Sequence, residues 1–165
     1  KIACEFLICD YQKLYGLPFT ILRYGIPYGP RMRMELVIPI FLKKAFNNEP
    51  LTITGDGSQY RNFIYVEDLA DAHISALKEE VKNQILNLEG IRRISIKEIA
   101  ETIQKLVGNN VRIEYLPARP GDYEGKEASN DKIKRLTGWE PKMDFKEGME
   151  KTIAWFKSDI LKRAD

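Results

Sequence analysis

The sequence predicts an α/β fold with buried parallel strands, and three observations carry that reading. Residues 2–15 form a broad apolar helical face (Ile2, Phe6, Leu7, Tyr11, Leu14, Tyr15) that ends before Gly16 and Pro18. A continuously apolar run, Phe19-Thr20-Ile21-Leu22, follows at once, as expected of a parallel strand covered on both faces. Beyond it, short β-prone runs alternate with amphipathic helices, the pattern of a layered α/β protein. The 165 residues suffice for one sizeable domain, since domains of ~100–150 residues bury about two-thirds of their unfolded surface.

The other elements follow in order. A helix is expected over 36–47, with Pro39 in its first turn, where a missing N–H costs little. Residues 51–54 read as a strand, and the run after Gly57 as another that opens into a helix from 66 to about 78. Lys78, Glu79, Glu80 and Lys82 then form its solvated end, before a strand at 84–88. Ser95 and Glu98 make a capping-box pattern, each side chain able to satisfy an orphan N–H, and the helix they open runs through Val107 to Gly108-Asn109-Asn110. A strand at 111–115, a loop at 117–130, a short helix at 131–136 and an amphipathic helix from 145 to about 160 complete the chain. Trp139 and Trp155 read as core anchors. No repeat, low-complexity tract or linker-like shift divides these elements.

Composition narrows the function. Twenty-six Lys and Arg against 24 Asp and Glu leave a net charge of +2, which argues against nucleic acid as a partner and makes any anion site local. Cys4 and Cys9, five residues apart in one helix, neither face each other nor offer metal spacing, and are expected to be reduced core thiols. His73, the sole histidine, lies among apolar helix positions without a second ligand nearby, so no metal site is expected. No apolar run is long enough to span a bilayer and no signal-peptide pattern occurs in these residues, so a cytoplasmic location without a membrane partner is the expectation.

The most informative stretch is 55–68, Gly-Asp-Gly-Ser-Gln-Tyr-Arg-Asn-Phe-Ile-Tyr-Val-Glu-Asp. A glycine-flanked turn precedes Arg61 on a β-prone run, which places a cation on a rigid edge suited to an anion. Taken alone, the stretch reads as a hairpin turn and a surface arginine paired with Glu67 or Asp68. Its neighbours add to it: Leu22-Arg23-Tyr24-Gly25-Ile26-Pro27-Tyr28-Gly29-Pro30-Arg31 upstream, Arg119-Pro120-Gly121-Asp122 and Gly138-Trp139-Glu140-Pro141 downstream. In that order these segments resemble the NAD-dependent epimerase/dehydratase family, extended short-chain dehydrogenase/reductases that act on sugar nucleotides, from Lys1 to about residue 156.

The resemblance implies the C-terminal part of a Rossmann-like enzyme: mainly the small α/β substrate-binding domain, plus the last helix and strand elements of the Rossmann domain. Residues 1–30 would be the remnant of the dinucleotide-binding domain, and 31–165 the substrate-binding region, with segments at about 55–90 returning to the Rossmann sheet. No G-x-G-x-x-G or G-x-x-G-x-x-G turn occurs in the chain, so the main cradle for NAD is missing from these residues. Lys1-Ile2-Ala3-Cys4-Glu5 resembles the family segment that starts at the lysine of Tyr-x-x-x-Lys. Lys1 would then hold the nicotinamide ribose and lower the pKa of a tyrosine lying before residue 1.

The resemblance also assigns the substrate site. Arg61 would grip the substrate diphosphate. Arg119 would reach the same diphosphate or the ribose, and Asp122 could accept a ribose hydroxyl. Leu36, Val37, Thr52, Ile53 and Thr54 would line the nucleobase, or alternatively pack the core. Tyr24, Gly25 and Tyr28 match the loop past the nicotinamide and the substrate sugar, the tyrosines otherwise serving as framework aromatics.

Three positions depart from the family pattern. Ile26 replaces an asparagine whose amide contacts phosphate, leaving only backbone contact there; Leu36 stands where asparagine is frequent and Asn62 where aspartate is usual. The implied function is therefore the sugar-nucleotide-binding portion of an NAD-dependent epimerase, most like UDP-glucose 4-epimerases, acting on a UDP- or dTDP-linked sugar. The chain is expected not to turn over alone, and the full-length parent to be a homodimer. Nucleotide-sugar 4,6-dehydratases, UDP-glucuronate decarboxylases and a non-catalytic nucleotide-sugar-binding module are the alternatives.

Overall fold

A computed structural model describes residues 1–121, 124, 125 and 128–160. Helix α1 (Ile2–Tyr15) ends at Gly16 in the left-handed conformation, and the chain enters β1 (Thr20–Tyr24) and, after Gly25 alone, β2 (Ile26–Tyr28). Then come α2 (Val37–Phe46), β3 (Leu51–Thr54), β4 (Tyr60–Tyr65), α3 (Val66–Ser75), β5 (Gln84–Leu88) and β6 (Arg93–Ser95). Helix α4 (Ile96–Val107), β7 (Ile113–Leu116), α5 (Asp131–Thr137) and α6 (Phe145–Trp155) follow, α6 running into a π turn over Phe156–Ile160.

The strands pair in three small groups. β1 lies parallel to β5 with Ile21 opposite Ile85, and β3 parallel to β7 with Ile53 opposite Tyr115. β4 pairs parallel with β2 and antiparallel with β6. Close backbone approach joins the β1–β5 pair to the β2–β4–β6 group at one end. A Cβ on Gly25 would meet the Asn62 carbonyl oxygen at 2.1 Å, and one on Gly90 the Phe63 carbonyl oxygen at 1.9 Å, so both positions admit only glycine.

Two apolar clusters hold these layers. The larger joins α2, α4 and α6 to β3, β4 and β6 through fully buried Ile38, Leu42, Leu51, Ile53, Ile94 and Ile99, each contributing about 1.5–3 kcal/mol over its exposed state. The smaller joins α3, α5, β4 and β5 through Ile64, Ala72, Leu86, Leu88, Ile133 and Trp139, with Leu22 of β1 packed against it. Trp139 anchors the core as expected, while Trp155 is half-buried at its edge.

Several expectations are corrected. Helix α1 buries no residue, so Cys4 is exposed and Cys9 half-buried, not core thiols, because no described element covers that face. The helix from Val66 stops at Ser75, and Glu79–Val81 forms a separate 3-10 turn that buries Val81. Strands β2 and β6, three residues each, were not anticipated: pairing with β4 defines them, which short local periodicity does not show. Only half of the capping box forms, with Ser95 Oγ accepting from the Glu98 N–H at 3.0 Å. The Glu98 carboxylate instead takes the Arg92 guanidinium through two bonds. No helix among the described residues is long and apolar enough to cross a membrane.

Candidate functional site

The register of β3 and β7 positions the first group of candidate residues. With Thr54 opposite Leu116, the Gly55-Asp56-Gly57 turn and the loop carrying Arg119 leave the sheet side by side. The Gly55 N–H donates to the Leu116 carbonyl at 2.9 Å. Gly55 and Gly57 adopt φ of +73° and +78°, and Asp56 Oδ1 closes the turn by accepting from the Ser58 N–H at 2.9 Å. Hydrogen bonding from Ser58 holds the Asp56 carboxyl below the usual carboxylate range. A cavity of about 290 Å³ lies here, lined by Thr54, Gly55, Asp56, Gln59, Ala118 and Glu124.

Arg61 reaches the same neighbourhood from β4. It is half-buried, and its Nη1 donates to the Tyr60 carbonyl at 2.7 Å and towards the Glu124 carbonyl at 3.5 Å. The Tyr60 N–H also donates to the Glu124 carbonyl, at 2.9 Å, and Gly125 lies flat against the Tyr60 ring. Asp68 is not occupied with this arginine: it is 7% exposed, and its two oxygens accept from the Lys142 and Met143 N–H groups at 3.1 and 2.9 Å. Glu67 lies 4.0 Å from Lys151. Arg119 is exposed on its loop, and Asp122 lies outside the described residues.

The strand pleat divides the residues expected around a nucleobase. Leu51 and Ile53 are fully buried in the core, whereas Thr52 and Thr54 face the other way and are half-buried. Of the two readings open for Ile53, slot or core, its full burial supports the core one. Thr52 Oγ1 accepts from Lys44 Nζ at 2.7 Å, and the Thr54 carbonyl from Gln59 Nε2 at 2.7 Å. Leu36 is the extended N-cap of α2 and gives the helix no side-chain acceptor; Val37 beside it is half-buried.

The second group gathers at the ends of β1 and β5. Tyr24 is 50% exposed with its ring 6.2 Å from that of His73, while Gly25 and Ile26 are half-buried. His73 is exposed, its Nδ1 2.7 Å from the Leu69 carbonyl oxygen, a surface histidine as expected. Lys1 is exposed just before α1, and Glu5 ties α1 to β1 through a two-point pair with Arg23. Their hydrogen bonding holds the Glu5 carboxyl below, and the Arg23 guanidinium above, its ordinary range.

Tyr28 does not join this group. It is 2% exposed among Phe63, Tyr65 and Phe145, its hydroxyl against Gly148, and burial pushes its phenol far above the ordinary tyrosine value. Its place as a cofactor contact is corrected to that of a framework aromatic. Glu89 and Asn62 do sit here, beside Gly25. Sequence reasoning passed over Glu89, although an acid directly after an apolar strand was a visible signal.

A family model, the NAD dependent epimerase/dehydratase family, matches residues 1–88. The chain belongs to this family. Its curated relatives include UDP-sugar epimerases, decarboxylases and dehydratases. A UDP-glucuronate 4-epimerase of Thermodesulfobacterium geofontis is 37% identical over 161 residues, covering 97% of this chain and 50% of that protein. The fold is that of solved members. The Bacillus cereus UDP-glucuronic acid 4-epimerase, in complex with UDP-glucuronic acid and NAD, superposes with a TM-score of 0.88 at 30% identity over 95% of this chain and 51% of that one. A Thermotoga maritima UDP-glucose 4-epimerase with UDP-glucose gives 0.89 at 29% identity, over 100% and 53%. The chain thus spans about half the length of these relatives.

Proposed function

We propose that this chain is the sugar-nucleotide-binding portion of an NAD-dependent nucleotide-sugar epimerase, of the UDP-glucose 4-epimerase kind, taking a UDP- or dTDP-linked sugar. The observation that carries the proposal is the β3–β7 register, which brings the Gly55 turn and the Arg119 loop together across one cavity beside Arg61. A substrate diphosphate bears a charge near −2, and two guanidiniums from separate segments suit it, each offering a planar set of donors. In this reading Arg61 binds the diphosphate and Arg119 closes on it from the loop. Thr52, Thr54, Leu36 and Val37 flank the base, and Ile26 contributes only backbone. Asp122 remains the proposed ribose contact.

NAD would supply the hydride acceptor and donor. Lys1, Tyr24 and Gly25, all at least half exposed or lying at the β1 end, fit its nicotinamide side, whereas buried Tyr28 does not. Lys1 would hold a ribose hydroxyl there. The division into residues 1–30 and 31–165, a homodimeric parent and the absence of turnover by the chain alone belong to the same proposal. Epimerases among the relatives, at 37% identity in the best-matched of those quoted, favour this chemistry over dehydration or decarboxylation.

Calorimetry with UDP-glucose and dTDP-glucose tests it. The folded chain should bind at least one, and Arg61→Ala should weaken that binding by roughly 10–100-fold, the value of one charge-assisted contact. Unchanged affinity in the variant removes Arg61 from the site, and a folded chain that binds neither ligand removes the proposal.

A further inference from the structure

Glu89 follows β5 and is held at its backbone by Asn130, whose Oδ1 accepts from the Glu89 N–H at 2.7 Å and whose Nδ2 donates to the Glu89 carbonyl at 2.9 Å. Its carboxyl is thereby turned towards β1 and β4. One side is hydrogen-bonded to the Asn62 side chain, and Oε2 fills the space beside Gly25 that a side chain there would need, 2.6 Å from the ideal Cβ. Oε2 is fully buried and has no hydrogen-bond partner. A carboxylate oxygen in that position is costly, because nothing replaces the water it gave up.

We propose that Glu89 is a positioning residue that, while it carries its proton, fastens the ends of β1, β4 and β5 together through Asn62 next to the substrate-binding Arg61. Its ionisation then opposes binding of the diphosphate. The second half rests on the reading of Arg61 given above; the first does not. Burial pushes the Glu89 carboxyl up to about 7, against only partial relief from Asn62, so the change falls near neutrality.

The surroundings do not neutralise the charge in advance. The pocket of about 250 Å³ that Glu89 lines is edged by Arg92 and Arg93 from the β6 side. Arg92 is taken by Glu98, and the Arg93 guanidinium lies 4.9 Å from the centre of the Tyr60 ring. Asn62 faces the site from β4, its chain neighbour Arg61 lying on the other face of the strand, and Asn130 with the following Asp131 stands at the start of α5. Glu89 is the sole acid lining that pocket among the described residues. A proton lost from Glu89 therefore adds a negative charge against the side chain of Asn62, the residue that follows Arg61 on β4.

The sign of the effect on stability is fixed by the raised value. As pH rises from 4.5, the unfolded carboxyl loses its proton before the folded one, so stability falls until the folded group titrates near 7 and is then level. Glu89→Gln keeps the shape and the hydrogen bond to Asn62 without a titrating proton. Thermal unfolding of the chain and of this variant from pH 5 to 8.5, without ligand, should show the variant gaining on the wild type up to about pH 7.5, and a gap independent of pH overturns the proposal. Carboxyl ¹³C NMR of the wild type should place the Glu89 midpoint at about 7, well above an ordinary glutamate; an ordinary midpoint overturns it even if the variant fails to fold.

UDP-glucose, whose diphosphate does not titrate in this range, serves as the binding probe. Its affinity for the wild type should fall roughly three- to fivefold from pH 6 to 8, the order of effect of one added charge acting through water, with a flat profile in the variant. Parallel profiles overturn the link to the anion site. If UDP-glucose does not bind, dTDP-glucose takes its place as the probe; if neither binds, the Arg61 reading fails, while the unfolding and NMR results still decide the role of Glu89.

Discussion

Asp68 shows how a single side chain can carry structure where sequence suggested an ion pair. Its position in the first turn of α3 looks like a helix-dipole acid, yet its carboxylate reaches two N–H groups 74 and 75 residues further on and pins that loop ahead of α6. Asp68→Ala would take the charged acceptor from two part-buried donors and is expected to cost about 1–3 kcal/mol. Urea unfolding checks this, with a shift in midpoint at unchanged slope. Asp68→Asn keeps one acceptor oxygen and should lose less. Arg61 was legible as a site candidate because its turn chemistry lies within six residues of it. The second role of Asp68 was not, because its partners lie most of the chain away.

At the scale of elements, turn and cap signals located most helices and strands, and errors fell where pairing rather than propensity defines an end. Ser95 caps α4 as its spacing suggests, so Ser95→Ala should destabilise the chain by about 1 kcal/mol and lower the unfolding temperature by roughly 2–4 °C. Differential scanning calorimetry measures both. Glu98 left the box because Arg92, the residue just before β6, offers a charged two-point partner stronger than a backbone N–H. Helix α1 was recognised from its apolar periodicity, but that face stays open: Phe6 is 68% and Leu14 72% exposed. Periodicity reports that a face is suited to burial, not that a neighbour covers it.

For the molecule as a whole, the described residues assemble a cavity around the ends of β3, β4 and β7, which the proposed function gives to the sugar nucleotide, and that proposal gives the nicotinamide the β1 end. NAD is therefore expected to bind this chain far more weakly than UDP-glucose, with a dissociation constant above roughly 1 mM, since the pyrophosphate contacts of a glycine-rich turn are missing. Saturation-transfer NMR or calorimetry measures it; micromolar affinity would show that the chain holds the dinucleotide by other means.

The alternation of elements, the glycine turn before Arg61 and the family all follow from residues close together in the chain, because turn geometry, capping and helical period act over a few residues. Which of those residues share a site is a matter of folding. The 51–54 pleat sends Ile53 into the core and leaves Thr54 by the cavity, and packing against Phe63, Tyr65 and Phe145 withdraws Tyr28 from the group at the β1 end. The pairing of β1 with β5 carries Glu89 to Gly25, 64 residues away. Contacts of that span depend on strand register and on which faces are covered, and no local pattern in the sequence records either.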